Sequence, residues 1–100
     1  MRTLLKVRIP VAAGNRAIKD GTLPQIIGTF VETFKPEASY FTAEHGDRTA
    51  LFVLDVKDAS DLPSLAEPFF LQLDASISTS ICMNLDDMKA GIEKAARAGR

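Results

Sequence analysis

Apolar and polar positions alternate over Thr3–Ile9, with Leu5, Val7 and Ile9 on one side and Leu4, Lys6 and Arg8 on the other. A period of two predicts a strand. Pro10, which has no N–H for a ladder, closes it. Val11 to Lys19 reads as a short helical turn, and Asp20-Gly21 as a break where glycine takes positive φ. Thr22 is placed to cap the next helix, with Pro24 in its first turn, where a missing N–H costs nothing. Leu23, Ile26, Ile27, Phe30, Val31 and Phe34 then recur at helical spacing. Lys35-Pro36 ends that stripe, because the residue before a proline avoids the α region.

Two strands follow, Glu37 to Glu44 and Thr49 to Val56, joined by His45-Gly46-Asp47-Arg48 as a hairpin turn. The second carries Leu51 and Val53 on one face and Phe52, Leu54 and Val56 on the other, the pattern of a central strand. Ser60 or Asp61 is positioned to cap a helix with Pro63 in its first turn and a stripe of Leu62, Leu65, Ala66, Phe69, Phe70 and Leu73. Pro68 removes one of its backbone hydrogen bonds and is expected to kink it. The last strand, Ala75 to Met83, sets Ala75, Ile77, Thr79, Ile81 and Met83 against Ser76, Ser78, Ser80 and Cys82, and the small polar side suits a sheet edge. Asn84 caps a terminal helix whose first turn holds Asp86 and Asp87 and whose end holds Lys94, Arg97 and Arg100, in keeping with the helix dipole.

The order β-α-β-β-α-β plus a final helix predicts an α+β fold: a ferredoxin-like plait with an antiparallel four-stranded sheet in the order 4-1-3-2, forming a single domain over residues 1–100. Two helices cover only one face of such a sheet. The other retains Leu4 and half of the hydrophobes of the third strand, more apolar surface than a monomer is expected to expose. A second copy, sheet to sheet, would cover it. The apolar stripe Leu85, Met88, Ile92 and Ala96 of the terminal helix should pack on that dimer or on its own protomer.

Composition narrows the functional classes. With 100 residues, 46% hydrophobic and 25% charged, the chain has an ordinary globular mix. The area scaling laws give roughly 15,800 Å² unfolded against roughly 5,600 Å² folded, enough burial for one core without staples. Acids outnumber bases 13 to 12, which leaves no broad electrostatic footprint for nucleic acid. Arg48 can be aligned with the basic start of the RNA-binding motif found on some plaits, but Ala50 and Asp55 then stand where its stacking aromatics belong. The N-terminus reaches a charge at once, so no secretory signal is expected, and no apolar run approaches the ~20 residues of a membrane span. Cys82 is the one cysteine and forms no internal disulfide. A cytoplasmic protein is the expectation.

Several segments together resemble small bacterial proteins of the dimeric α/β-barrel superfamily: Ile9-Pro10 with Gly14-Asn15, Asp20-Gly21-Thr22-Leu23-Pro24, Lys35-Pro36-Glu37-Ala38-Ser39-Tyr40-Phe41, Gly46-Asp47-Arg48-Thr49 and Ala66-Glu67-Pro68-Phe69-Phe70. The resemblance spans most of the chain and implies a ferredoxin-like protomer in a two-fold dimer. That superfamily includes cofactor-independent monooxygenases, lactone isomerases, haem enzymes and members without known activity, so it speaks to architecture more than chemistry.

Candidate chemistry is sparse. His45 and Cys82 match no zinc spacing, and a hairpin tip shields an axial haem ligand poorly, so no metal or cofactor is expected. No serine lies in a nucleophile elbow, no glycine spacing marks a nucleotide loop, and no catalytic residue is assigned. Glu67 falls away from its helix's apolar stripe and reads as solvated. Topology offers more: the end of the first strand, the following segment and the hairpin tip share one sheet edge, which gathers Arg8, Asn15, Arg16, His45 and Arg48. Arg8, Asn15, His45 and Arg48 are the predicted ligand-binding residues, suited to a small anion or a carbonyl oxygen. Pairing of Arg8 and Arg48 with Glu44 or Asp47 as surface ion pairs is the competing reading. The sequence thus favours a small-ligand-binding homodimer. A cofactor-free monooxygenase- or isomerase-like enzyme on a small phenolic or carbonyl compound, and a regulatory or structural dimer without ligand, stand as alternatives.

Overall fold

Leu5, Val7 and Ile9 are 1%, 0% and 3% exposed, whereas Leu4, Lys6 and Arg8 between them are only half-buried. In the computed structural model, which describes residues 1–99, this alternation is strand β1 (Arg2–Ile9). Helices α1 (Val11–Lys19) and α2 (Thr22–Phe34) follow, then β2 (Ala38–Glu44), β3 (Asp47–Asp55), a 3-10 turn at Ala59–Asp61, α3 (Leu62–Leu73), β4 (Ser76–Ile81) and α4 (Leu85–Ala98). The chain is α+β, with one antiparallel sheet ordered β2-β3-β1-β4, so the first and third strands are central as the sequence predicts.

Register explains the core. Leu5 stands opposite Phe52 and Val7 opposite Ala50, and the core is built on this side of the sheet. Phe30 of α2 and Phe69 of α3 close over Phe52, their ring centroids 4.5 Å and 6.3 Å from that of Phe52. Leu54, Leu65, Leu73 and Ala17 complete the layer. Offset aromatic contacts of this kind add to the burial of the rings themselves.

Several boundaries differ from the sequence reading, for local reasons. The hairpin is tighter than expected: Asp47 and Arg48 belong to β3, and only His45 and Gly46 turn the chain. Both have positive φ, 51° and 84°, which matches the right-handed twist of the flanking strands. Val11–Lys19 is a full helix rather than a single turn. Thr22 lies inside α2; its N–H and hydroxyl both donate to the Asp20 carboxylate, which therefore does the capping. Asp61 stands at the N-cap of α3, one of the two predicted positions, but its side chain makes no capping bond; Asp58 accepts the one that starts the preceding 3-10 turn. Lys35 does end α2, in a left-handed conformation before Pro36. Pro68 sits within α3 without ending it. Asn84 caps α4 as predicted, in a reciprocal box with Asp87. Arg100 lies outside the described residues.

The second sheet face is more polar than the sequence suggests. Leu4, Leu51 and Val53 are half-buried on it and Tyr40 is exposed, but the serines of β4 line one side. Lys6 pairs with Glu44 at 3.0 Å and Arg8 with Asp47 at 2.9 Å at its far end. Among the described residues, no helix is long and apolar enough to cross a membrane.

Candidate functional site

Arg48 stands opposite Ile9 in the ladder, which puts it on the helix side of the sheet. Its Nη2 donates to Asn15 Oδ1 on α1 at 3.1 Å. Arg8 stands opposite Thr49, one residue along, and so occupies the other face, where its Nε donates to Asp47 Oδ2. His45 is exposed at the hairpin tip. The structure thus joins Arg48 with Asn15 and sets Arg8 apart from them, because successive strand residues point to opposite faces. Arg16 is exposed and reaches Asp74 at 3.4 Å.

Arg48 is half-buried and, among the described residues, makes no ion pair. It lies at the rim of a pocket of about 200 Å³ formed by Ile9, Leu23, Ile27, Phe41, Ala50 and the Thr42–Thr49 pair. Apart from Arg48 and these threonines the lining is aliphatic or aromatic. A planar guanidinium at the mouth of an apolar pocket is matched to a carboxylate, a phosphate or a polarised carbonyl oxygen. Leu23, Ile27 and Phe41 were not singled out as site residues from sequence. The signal for Phe41 was its strand phase, since it alternates with Tyr40 and so turns toward the helices.

A second cleft, of about 540 Å³, lies between α2 and α3. Phe30, Phe34, Ile26 and Phe69 form its floor, and Thr29, Thr33, Gln25 and Gln72 are among its polar walls. Among the described residues, no charged one lines it. Pro68, which cannot donate a backbone hydrogen bond, is on its rim beside Ser64.

One carboxylate near the hairpin, that of Glu44, is held in its charged form. Lys6 donates a hydrogen bond to Glu44 and attracts its charge, with His45 and Arg8 adding to the field, so the Glu44 carboxyl titrates below its ordinary range. At the other end of the sheet the N-terminal ammonium, 2.8 Å away, lowers Asp55 in the same way. Glu67 is exposed, as its place on the α3 wheel predicted. Among the described residues, no three His, Cys, Asp or Glu side chains gather as metal ligands would. Compared with models of protein families, with curated proteins and with solved structures, the chain matches none.

Proposed function

We propose that this chain is a ferredoxin-like protomer of a dimeric α/β barrel, and that it binds a small molecule with an apolar body and an anionic or carbonyl end. The reading keeps Arg48 and Asn15 as the polar end of the site. The observation that carries it is Arg48: a half-buried guanidinium, held by a neutral amide rather than a carboxylate, at the rim of an apolar pocket. A guanidinium placed only for surface charge would sit in water or against an acid. At about 200 Å³ the pocket is below the usual range for drug-sized ligands, so the compound it suits is small. Arg8 and His45, which the sequence grouped with this pair, are left to a separate role: Arg8 anchors Asp47, and His45 forms the turn.

Thermal melts test the proposal, with benzoate and inorganic phosphate as probes. A ligand present at ten times its Kd stabilises by about 1.4 kcal/mol, which raises Tm by roughly 6–11 °C in a domain of this size. That rise is expected in the native protein and in Arg8→Leu, and absent in Arg48→Leu. Melts independent of both probes in all three proteins would overturn the reading.

A further inference from the structure

Helix α4 contributes no residue to the core. Leu85, Met88 and Ile92 are 60%, 38% and 61% exposed, although they recur at the i, i+3, i+7 spacing of a packed stripe, with Ala95 and Ala96 one turn further on. Ile81 and Met83, which lead into the helix, are exposed as well. Asp86, Asp87, Lys94 and Arg97 occupy the opposite side. A 14-residue helix is near the length at which isolated helices are marginal in water, even with a capping box, so this stripe calls for a partner.

Its place in the fold narrows where that partner sits. Asp87 in the first turn lies 3.3 Å from Arg2, whose side chain also holds Glu37. Arg2 belongs to the β1 set, with Leu4, Lys6 and Arg8, that faces away from α1–α3. The root of α4 is therefore tied to the open side of the sheet, and the rest of the helix runs on past it.

The shape of the molecule gives the size of what is missing. The chain extends 58 Å along its longest axis, with a radius of gyration of 16.2 Å, against about 13 Å for a compact 100-residue domain. It exposes 6685 Å², against roughly 5,600 Å² for a compact monomer of its mass. The surplus is about 1,100 Å² per copy by that scaling. A stable interface removes about 800 Å² from each partner, and homodimers often more.

We infer that α4 is an arm exchanged between two copies: each copy's α4 lays its Leu85–Met88–Ile92 stripe along the open-sheet side of the other. The exchange is reciprocal, so it closes as a two-fold dimer and leaves no free arm to propagate. The inference rests on the sheet-faced dimer proposed above and adds which element locks it.

The test is the mass of the full-length protein in solution, by light scattering at micromolar concentration, combined with hydrogen exchange. The native chain should give twice 10.9 kDa, with protected α4 amides. Ile92→Glu should weaken association at least tenfold and expose the α4 amides while β1 and β3 amides stay protected. Ala90→Glu, on the polar side of the helix, should leave the dimer intact. Leu51→Glu, on the open sheet face that receives the arm and pairs with the other sheet, should weaken the dimer as well. A native dimer that Leu51→Glu dissociates and Ile92→Glu does not would overturn the arm and keep the sheet-faced pairing. Dissociation by both substitutions is the result the inference predicts, and dissociation by Ile92→Glu alone would overturn the placement of the arm on the open sheet. A native mass of 10.9 kDa would overturn both.

Discussion

Gly14 and Arg48 are fitted to each other: a methyl group added at Gly14 would lie 2.6 Å from Nη1 of Arg48. The glycine is buried in the middle of α1, where alanine would ordinarily be preferred by about 1 kcal/mol. Its small size lets the guanidinium lie against the helix and reach Asn15.

This contact makes a double-mutant prediction. In an Arg48→Ala background, Gly14→Ala should stabilise by about 0.5–1 kcal/mol, because only helix propensity is then at stake. In the native background the same change should gain little, since the displaced guanidinium offsets it, and should weaken the response to benzoate. Urea melts of the four proteins measure the coupling. Equal gains in both backgrounds would mean that Gly14 does not position Arg48.

The two-residue turn makes a second prediction. His45 and Gly46 both have positive φ, a conformation that favours Asn-Gly over His-Gly. His45→Asn should stabilise by a few tenths of a kcal/mol, and Gly46→Ala should destabilise by about 1 kcal/mol or more. Urea denaturation midpoints at constant m-value check both. Stabilisation by Gly46→Ala would contradict the turn geometry.

Much of the fold was legible in the sequence because side-chain period and burial agree. The alternation of Leu5, Val7 and Ile9 gave β1, and the two-sided apolar run at Leu51–Val56 marked β3 as central. Turn and cap residues were harder, since Asp20, Thr22, Asp58 and Ser60 can each accept or donate a capping bond and only the three-dimensional path selects among them. The candidate site was half legible. Topology brought Arg8, Asn15, His45 and Arg48 to one edge, but tertiary register decides which face each takes. Moving Asp47 and Arg48 from the turn into β3 is what put Arg48 with Asn15 and Arg8 with Asp47.

Acid should weaken the fold. Glu44, Asp55, Asp20 and Asp58 all titrate below their ordinary values because each carboxylate accepts hydrogen bonds, from Lys6, the N-terminus, Thr22 and Ser60 respectively. A carboxyl lowered in the folded state contributes stability that is complete above its unfolded pKa, about 3.9 for Asp and 4.3 for Glu, and is lost as pH falls through the lower folded value. Tm should therefore be lower at pH 3 than at pH 5, and Glu44→Gln should shrink the difference. A Tm that rises on acidification would contradict these assignments.

Phenylalanine substitutions should sort by burial. Phe52 is fully buried beneath Phe30 and Phe69, whereas Phe70, one residue from Phe69, is 42% exposed. Phe52→Leu should cost about 1–1.5 kcal/mol, and Phe70→Leu should stay within about 0.5 kcal/mol of the native protein. Chemical denaturation of the two variants is the check, and equal losses would contradict the core as described.

The most direct measurement of the central proposal is a titration of the isotope-labelled protein with benzoate, followed by amide and arginine side-chain NMR signals. Saturable shifts are predicted at Arg48, Leu23, Ile27 and Phe41, which line the pocket, and at Asn15, which Arg48 contacts, and none of comparable size at Arg8. Arg48→Leu should abolish them. Shifts that never saturate, or that are the same size in Arg48→Leu, would contradict the assignment of this pocket as a ligand site.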